Sequence, residues 1–141
     1  MKRLLGLVRR SGAKIVVSSN WRKFAAAGPG SAWRHPLYGE VGNPLPKFVP
    51  RLGGAYLETL PPIRLRKAAV TEWWLIGKPN VESFVALDDM CELEGYDRLD
   101  VFRNRYVNTD PETGLTDEDC EKAFEMLSRP FNRRDAAWFS A

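Results

Sequence analysis

Apolar positions near the start of the chain recur at helical spacing. Leu4, Leu5, Leu7 and Val8 alternate with basic residues, which predicts a helix over Lys2–Ser11 with Gly12 as its C-cap. Lys14–Ser19 then carries the uninterrupted β-branched run Ile15-Val16-Val17, bounded by a turn and by Ser-Ser-Asn. A run without alternation predicts a buried strand of a parallel sheet covered on both faces. Trp21–Ala27 reads as the start of a helix ended by Gly28-Pro29-Gly30. Residues 28–62 lose every period: seven Pro and six Gly fall among these thirty-five residues. Only Lys47–Val49 and Ala55–Leu57 stand out there as short extended pieces. A loop of that length in a compact domain is usually functional or mobile.

Patterning resumes near Leu65. Ala68, Ala69, Trp73, Leu75 and Ile76 predict a helix closed by Gly77-Lys78-Pro79. Phe84-Val85-Ala86-Leu87 predicts a second short buried strand, and Arg105-Tyr106-Val107 a third. Thr116-Asp117-Glu118-Asp119 has the form of a capping box. It opens a last helix whose apolar side holds Ala123, Phe124, Met126 and Leu127. The order is helix, strand, loop, helix, strand, strand, helix. It predicts an α/β fold: a Rossmann-like, mainly parallel sheet with flanking helices and a long Pro/Gly-rich insertion.

The length of 141 residues suits one domain, taken as 1–131 with the irregular insertion at 28–62 and a C-terminal tail at 132–141. With 44% apolar and 28% charged residues the composition excludes a disordered or fibrous chain. No stretch approaches the ~18 apolar residues of a membrane span. The basic N-terminus lacks the apolar core and cleavage site of a signal peptide, so a cytoplasmic protein without a membrane partner is expected. Cys91 and Cys120 cannot form a disulfide framework and read as free thiols of a reducing compartment.

The net charge of +3 hides a division. Residues 1–70 hold thirteen Lys/Arg and two acids, a net +11, while residues 71–141 hold eight Lys/Arg and sixteen acids, a net −8. Two readings stand open: an anion-binding first half with a cation-binding second half, or two solvated faces that attract each other.

In parallel α/β sheets, ligands bind beyond the carboxyl ends of strands. The first predicted strand ends in Ser18-Ser19-Asn20 and the second in Asp88-Asp89. Hydroxyls and amides can hold phosphate oxygens, and paired carboxylates can hold Mg²⁺. With Arg66 or Lys67 opening the intervening helix, these residues resemble motifs two, three and four of the haloacid dehalogenase (HAD) superfamily. The resemblance is nearest to the HAD domain of Swiss Army Knife RNA-repair proteins. It rests on Gly12-Ala13-Lys14-Ile15-Val16-Val17-Ser18-Ser19-Asn20-Trp21-Arg22 and on Asp110-Pro111-Glu112-Thr113-Gly114-Leu115-Thr116, and covers roughly residues 4–128.

The resemblance implies a Mg²⁺-dependent phosphohydrolase. Ser19, Asn20, Arg66 and Lys67 would bind phosphate and Asp88 and Asp89 the metal, with Asp89 favoured for direct coordination and Arg66 over Lys67 as the motif-three cation. Its substrate would be a phosphorylated small molecule or a nucleic-acid end. The family's first motif, an Asp-x-Asp whose first Asp is the nucleophile and second the general acid/base, belongs on a strand upstream of these residues. No Asp precedes Asp88. An inactive pseudoenzyme is therefore expected of these residues, with the catalytic residues unknown and truncation as one explanation. The alternative is a degenerate HAD scaffold of phage or mobile-element type that binds a host protein or a nucleic acid. A third reading is a fragment whose sheet a second copy completes. Without the central strand, Lys14–Ser18 is expected to pair directly, in parallel, with Phe84–Leu87.

Each candidate also has a plainer role. Ser19 can cap the helix after it, and the Asp pair can cap a turn. The five tryptophans, Trp21, Trp33, Trp73, Trp74 and Trp138, are more often core residues than base-stacking platforms. His35 has no cysteine near it in sequence, which argues against zinc. Asp110–Gly114 fails as a calcium loop, because Gly stands one position early and Pro occupies the second.

Overall fold

The computed structural model describes residues 2–18, 50–60 and 65–136, together with the backbone of 32–35 and 39–42. The chain forms two compact units, Met1–Ala13 with Leu65–Ala141, and Lys14–Arg64.

In the first unit, helix α1 (Lys2–Ser11) runs from the basic N-terminus to Gly12. Gly12 takes a left-handed φ of 73°, and its N–H closes the helix on the Val8 carbonyl at 2.8 Å. Helix α2 (Lys67–Ile76) turns Ala68, Val70, Trp74 and Leu75 inward, while Trp73 stays 54% exposed. Helix α3 (Asp117–Leu127) begins at the predicted capping box. Thr116 Oγ1 accepts from the Asp119 N–H at 3.1 Å, and the Asp119 carboxylate accepts from the Thr116 N–H at 3.0 Å.

Strands β5 (Ala86–Asp88) and β6 (Tyr106–Asn108) pair in parallel in this unit, with Leu87 opposite Val107 and Asp88 opposite Asn108. Parallel neighbours need a crossover, usually a helix. Here residues 89–105 supply turns and two short 3-10 segments, Tyr96–Arg98 and Asp100–Phe102. Fully buried Tyr96 and Phe102 anchor the crossover, their rings 4.9 Å apart edge to face. Phe84 meets Phe102 and Phe131 in the same geometry, at 5.4 and 5.0 Å. Leu7 of α1, Val107 of β6 and Ala123 of α3 form a second buried cluster, with Leu87 and Phe124 packed on it.

The second unit holds β1 (Ile15–Val17) paired in parallel with β4 (Tyr56–Thr59), and an antiparallel hairpin of β2 (Ala32–His35) with β3 (Gly39–Gly42). The Leu60 N–H extends the β1–β4 ladder to the Val17 carbonyl at 2.8 Å. Leu52, Leu60 and Val17 are buried.

Parallel pairing is as expected, but the partners differ. Lys14–Ser18 does not pair with Phe84–Leu87: β1 takes β4, and β5 takes β6. The partner of β1 lies inside the Pro/Gly-rich stretch, where only Ala55–Leu57 suggested extension. Tyr56, Leu57 and Thr59 fit a pleated strand, but four residues are too few to show a period against that background. The segment 132–136 is built into the first unit, with Ala136 buried. The predicted helix at Trp21–Ala27 and the extended piece at Lys47–Val49 lie outside the described residues.

Candidate functional site at the end of strand β5

β5 ends on Asp88, a carboxylate only 8% exposed. A buried charge needs a partner, and Asp88 has one in Lys67, whose Nζ lies 2.9 Å from Asp88 Oδ2. Lys67, itself 7% exposed, is the first residue of α2. The other carboxylate oxygen, Oδ1, accepts the Met90 N–H at 2.9 Å, so Asp88 also folds the chain that leaves the strand. Both oxygens are thus engaged by protein donors. The Asp88 carbonyl accepts the Thr109 N–H at 2.8 Å and the Cys91 thiol at 3.3 Å.

Glu94 positions Lys67. The Arg66 side chain does not cap α2. The Glu94 carboxylate accepts the Lys67 N–H at 2.8 Å instead, and the Glu94 carbonyl accepts the Ala68 N–H at 3.2 Å. A carboxylate there suits the positive end of the helix dipole. Gly95 follows with φ 85°, a left-handed turn that lets Glu94 face α2 without the strain a Cβ would bring. Cys91 lies beside the pair, its N–H on Asn108 Oδ1 at 3.1 Å. Burial first, and then the Asp88 charge, push its thiol up from 9.0 to about 11. Such a thiol stays protonated and unreactive at neutral pH.

The predicted residues distribute as follows. Lys67 and Asp88 come together in a buried ion pair. Arg66 and Asp89 are exposed. Ser18 sits half-buried just beyond β1 in the second unit, and Ser19 and Asn20 lie outside the described residues. Glu94, Cys91 and Asn108 escaped sequence reasoning, because each acts through a contact between separate segments. Asp110 has a local duty: its Oδ1 accepts the Glu112 N–H at 2.7 Å, and Gly114, at φ 70°, closes the turn on the Asp110 carbonyl at 2.8 Å. That is an Asx-type turn. Both cysteines are free, as predicted.

Magnesium takes hard oxygen ligands in an octahedron, typically one or two carboxylates with waters and substrate phosphate. The exposed carboxylate of Asp89 fits that demand in kind. Among the described residues no group of three His, Cys, Asp or Glu side chains comes together, so other ligands have to complete such a site.

The first unit thus joins parallel strands, two adjacent carboxylates at a strand end and a helix-borne lysine on the first of them. The chain belongs to the family described as the HAD domain in Swiss Army Knife RNA repair proteins, whose profile matches residues 1–120. Neither curated proteins nor solved structures give a significant match. No helix among the described residues is long and apolar enough to cross a membrane.

Proposed function

We propose that this chain carries the phosphate- and metal-handling residues of a HAD-type phosphohydrolase, and that these 141 residues alone do not turn over a phosphate ester. The supporting observation is the buried Lys67–Asp88 pair at the end of β5. Lys67 presents three N–H donors, of which Asp88 uses one, so the ammonium keeps donors for a phosphate oxygen. Ser19, Asn20 and Arg66 are the further phosphate ligands in this reading. Asp89 would hold Mg²⁺, and the ion, when bound, would neutralise phosphate charge. All of these groups supply electrostatics. In-line attack needs a carboxylate nucleophile and an acid for the leaving oxygen, and no Asp precedes Asp88 to provide the family's Asp-x-Asp. The substrate class is a phosphorylated small molecule or a nucleic-acid end, in keeping with the family's RNA-repair description.

The test is release of nitrophenol from p-nitrophenyl phosphate with Mg²⁺. No release above background is expected from this chain. Turnover is expected from a version extended by an Asp-x-Asp strand, and Asp89→Asn should abolish it. Turnover by the 141 residues alone would overturn the reading.

A second reading is a degenerate HAD scaffold that acts by binding a host protein or a nucleic acid. Leu65, Trp73, Met90 and Leu93 of the first unit, each between 47% and 59% exposed, favour it. Salt-dependent retardation of a labelled RNA, with no turnover in either version, would support this reading over the first.

A further inference from the structure

Side chains from two neighbouring strands fasten the turn that leaves β5. The strands end level with each other, Asp88 directly opposite Asn108. Asp88 Oδ1 accepts the Met90 N–H at 2.9 Å, and Asn108 Oδ1 accepts the Cys91 N–H at 3.1 Å. The carbonyls of the same two turn residues are also engaged. Met90 accepts the Glu94 N–H at 3.0 Å, and Cys91 accepts the Tyr96 N–H at 3.1 Å. On the strand side, the Asp88 carbonyl accepts the Thr109 N–H at 2.8 Å. Asp89 is therefore an exposed residue between a paired strand end and a backbone bonded through both its N–H and its C=O groups. Among the described residues no hydrogen bond or ion pair takes the Asp89 carboxylate.

We infer that Asn108 is a positioning residue for Asp89. By holding the Cys91 N–H from the neighbouring strand, it fixes the turn that carries the Asp89 carboxylate. A divalent cation then binds without first ordering that backbone. The inference rests on the reading of Asp89 as the Mg²⁺ ligand. Asn108 itself is exposed, so its own burial does not call for the contact. Its plainer duty is to satisfy the N–H of buried Cys91, and that duty alone would show in stability and not in metal affinity. A carboxylate at position 108 could accept the same N–H, but it would add a third negative charge beside Asp88 and Asp89. The neutral amide holds the turn without that charge.

The test is a Mn²⁺ titration of the intact chain, read by paramagnetic broadening of backbone amide signals, beside hydrogen exchange of the same amides without metal. Mn²⁺ should broaden the Asp89 and Met90 amides first, and Asp89→Asn should abolish that response. Asn108→Leu should weaken Mn²⁺ binding about fivefold and speed exchange of the Cys91 amide. Asn108→Asp keeps the acceptor and should restore both the protection of Cys91 and the response to Mn²⁺. Arg133→Ala removes contacts at the opposite end of α2, to the Leu75 and Val81 carbonyls, and should leave Mn²⁺ affinity unchanged. That comparison separates positioning from a general loss of stability. If Mn²⁺ does not act through Asp89 in the parent chain, the metal-ligand reading fails and the inference with it. If the response depends on Asp89 but Asn108→Leu binds Mn²⁺ as well as the parent, the inference alone is overturned. Unchanged Cys91 exchange in Asn108→Leu, or no recovery of protection in Asn108→Asp, would overturn it equally.

Discussion

At the residue scale the decisive contact is Lys67–Asp88, two charges withdrawn from water together. Removing one leaves the other buried and unpaired. Lys67→Ala is therefore expected to cost about 3–5 kcal/mol, measured as a shift in the denaturation midpoint. The double change Lys67→Met with Asp88→Leu should recover most of that loss, since an apolar pair of similar volume replaces an ion pair at little net cost. Arg105 is a different case. Only 6% exposed, its guanidinium donates to Ser83 Oγ at 2.9 Å, the Met126 carbonyl at 2.6 Å and the Pro130 carbonyl at 2.5 Å. Burial, with the Arg129 charge nearby, draws its pKa below the ordinary arginine value.

Cys91 gives a pH prediction. Its folded pKa of about 11 stands above the ordinary 9.0, so between those values the unfolded chain releases a proton that the native chain keeps. Stability contributed by the protonated thiol is complete below pH 9 and is lost as pH rises towards 11. Stability curves at pH 8 and 11 should differ in that direction, and Cys91→Ala should reduce the difference. With a thiol reagent at neutral pH, Cys120, which is less buried, should react first and Cys91 only on unfolding.

At the scale of elements, helix ends separate what is local from what is not. The α3 N-terminus is closed by its own Thr116 and Asp119, and Thr116→Ala should cost about 1 kcal/mol in a denaturant titration. Neither α2 nor α3 has a basic residue in its last turn. Arginines from elsewhere serve instead. Arg105 caps α3 at Met126. Arg133 reaches the Leu75 carbonyl at 2.7 Å and the Val81 carbonyl at 2.7 Å, closing α2 and the loop after it. Arg133→Ala should therefore destabilise by about 2 kcal/mol, although it lies in a stretch that reads as a tail. The α2 N-terminus follows the same rule through Glu94. Periodicity and capping patterns made α1, α2 and α3 legible almost to the residue. Strand partners were not, because strands of three or four residues carry no register information of their own.

For the whole molecule, the charge division finds a partial structural answer. Basic α1 packs on acidic α3 in the first unit: Arg3 pairs with Asp117 at 2.9 Å and Arg10 with Glu121 at 2.5 Å. The Arg10 guanidinium also lies 3.8 Å from the centre of the Phe124 ring. These are solvated faces that attract, and each ion pair is worth about 0.2–1 kcal/mol. Arg10→Ala should cost about 1 kcal/mol with its ring contact included, and 1 M salt should remove only the ionic share. Thermal denaturation at two salt concentrations separates the shares.

The sequence by itself determined helices α1, α2 and α3, the free thiols, the parallel α/β class and the family, because each is written in short-range spacing or in contiguous motifs. It also named both Lys67 and Asp88. Only the tertiary structure decided that these two meet, that Arg66 and Asp89 remain in solvent, and that β1 pairs with a strand inside the Pro/Gly-rich stretch. It likewise decided that Glu94, Arg105 and Arg133 close helix ends far from them in the chain. The reason is common to all of these. A buried charge or an orphan backbone group must be satisfied by whatever donor or acceptor folding brings near, and that neighbour leaves no mark in local sequence.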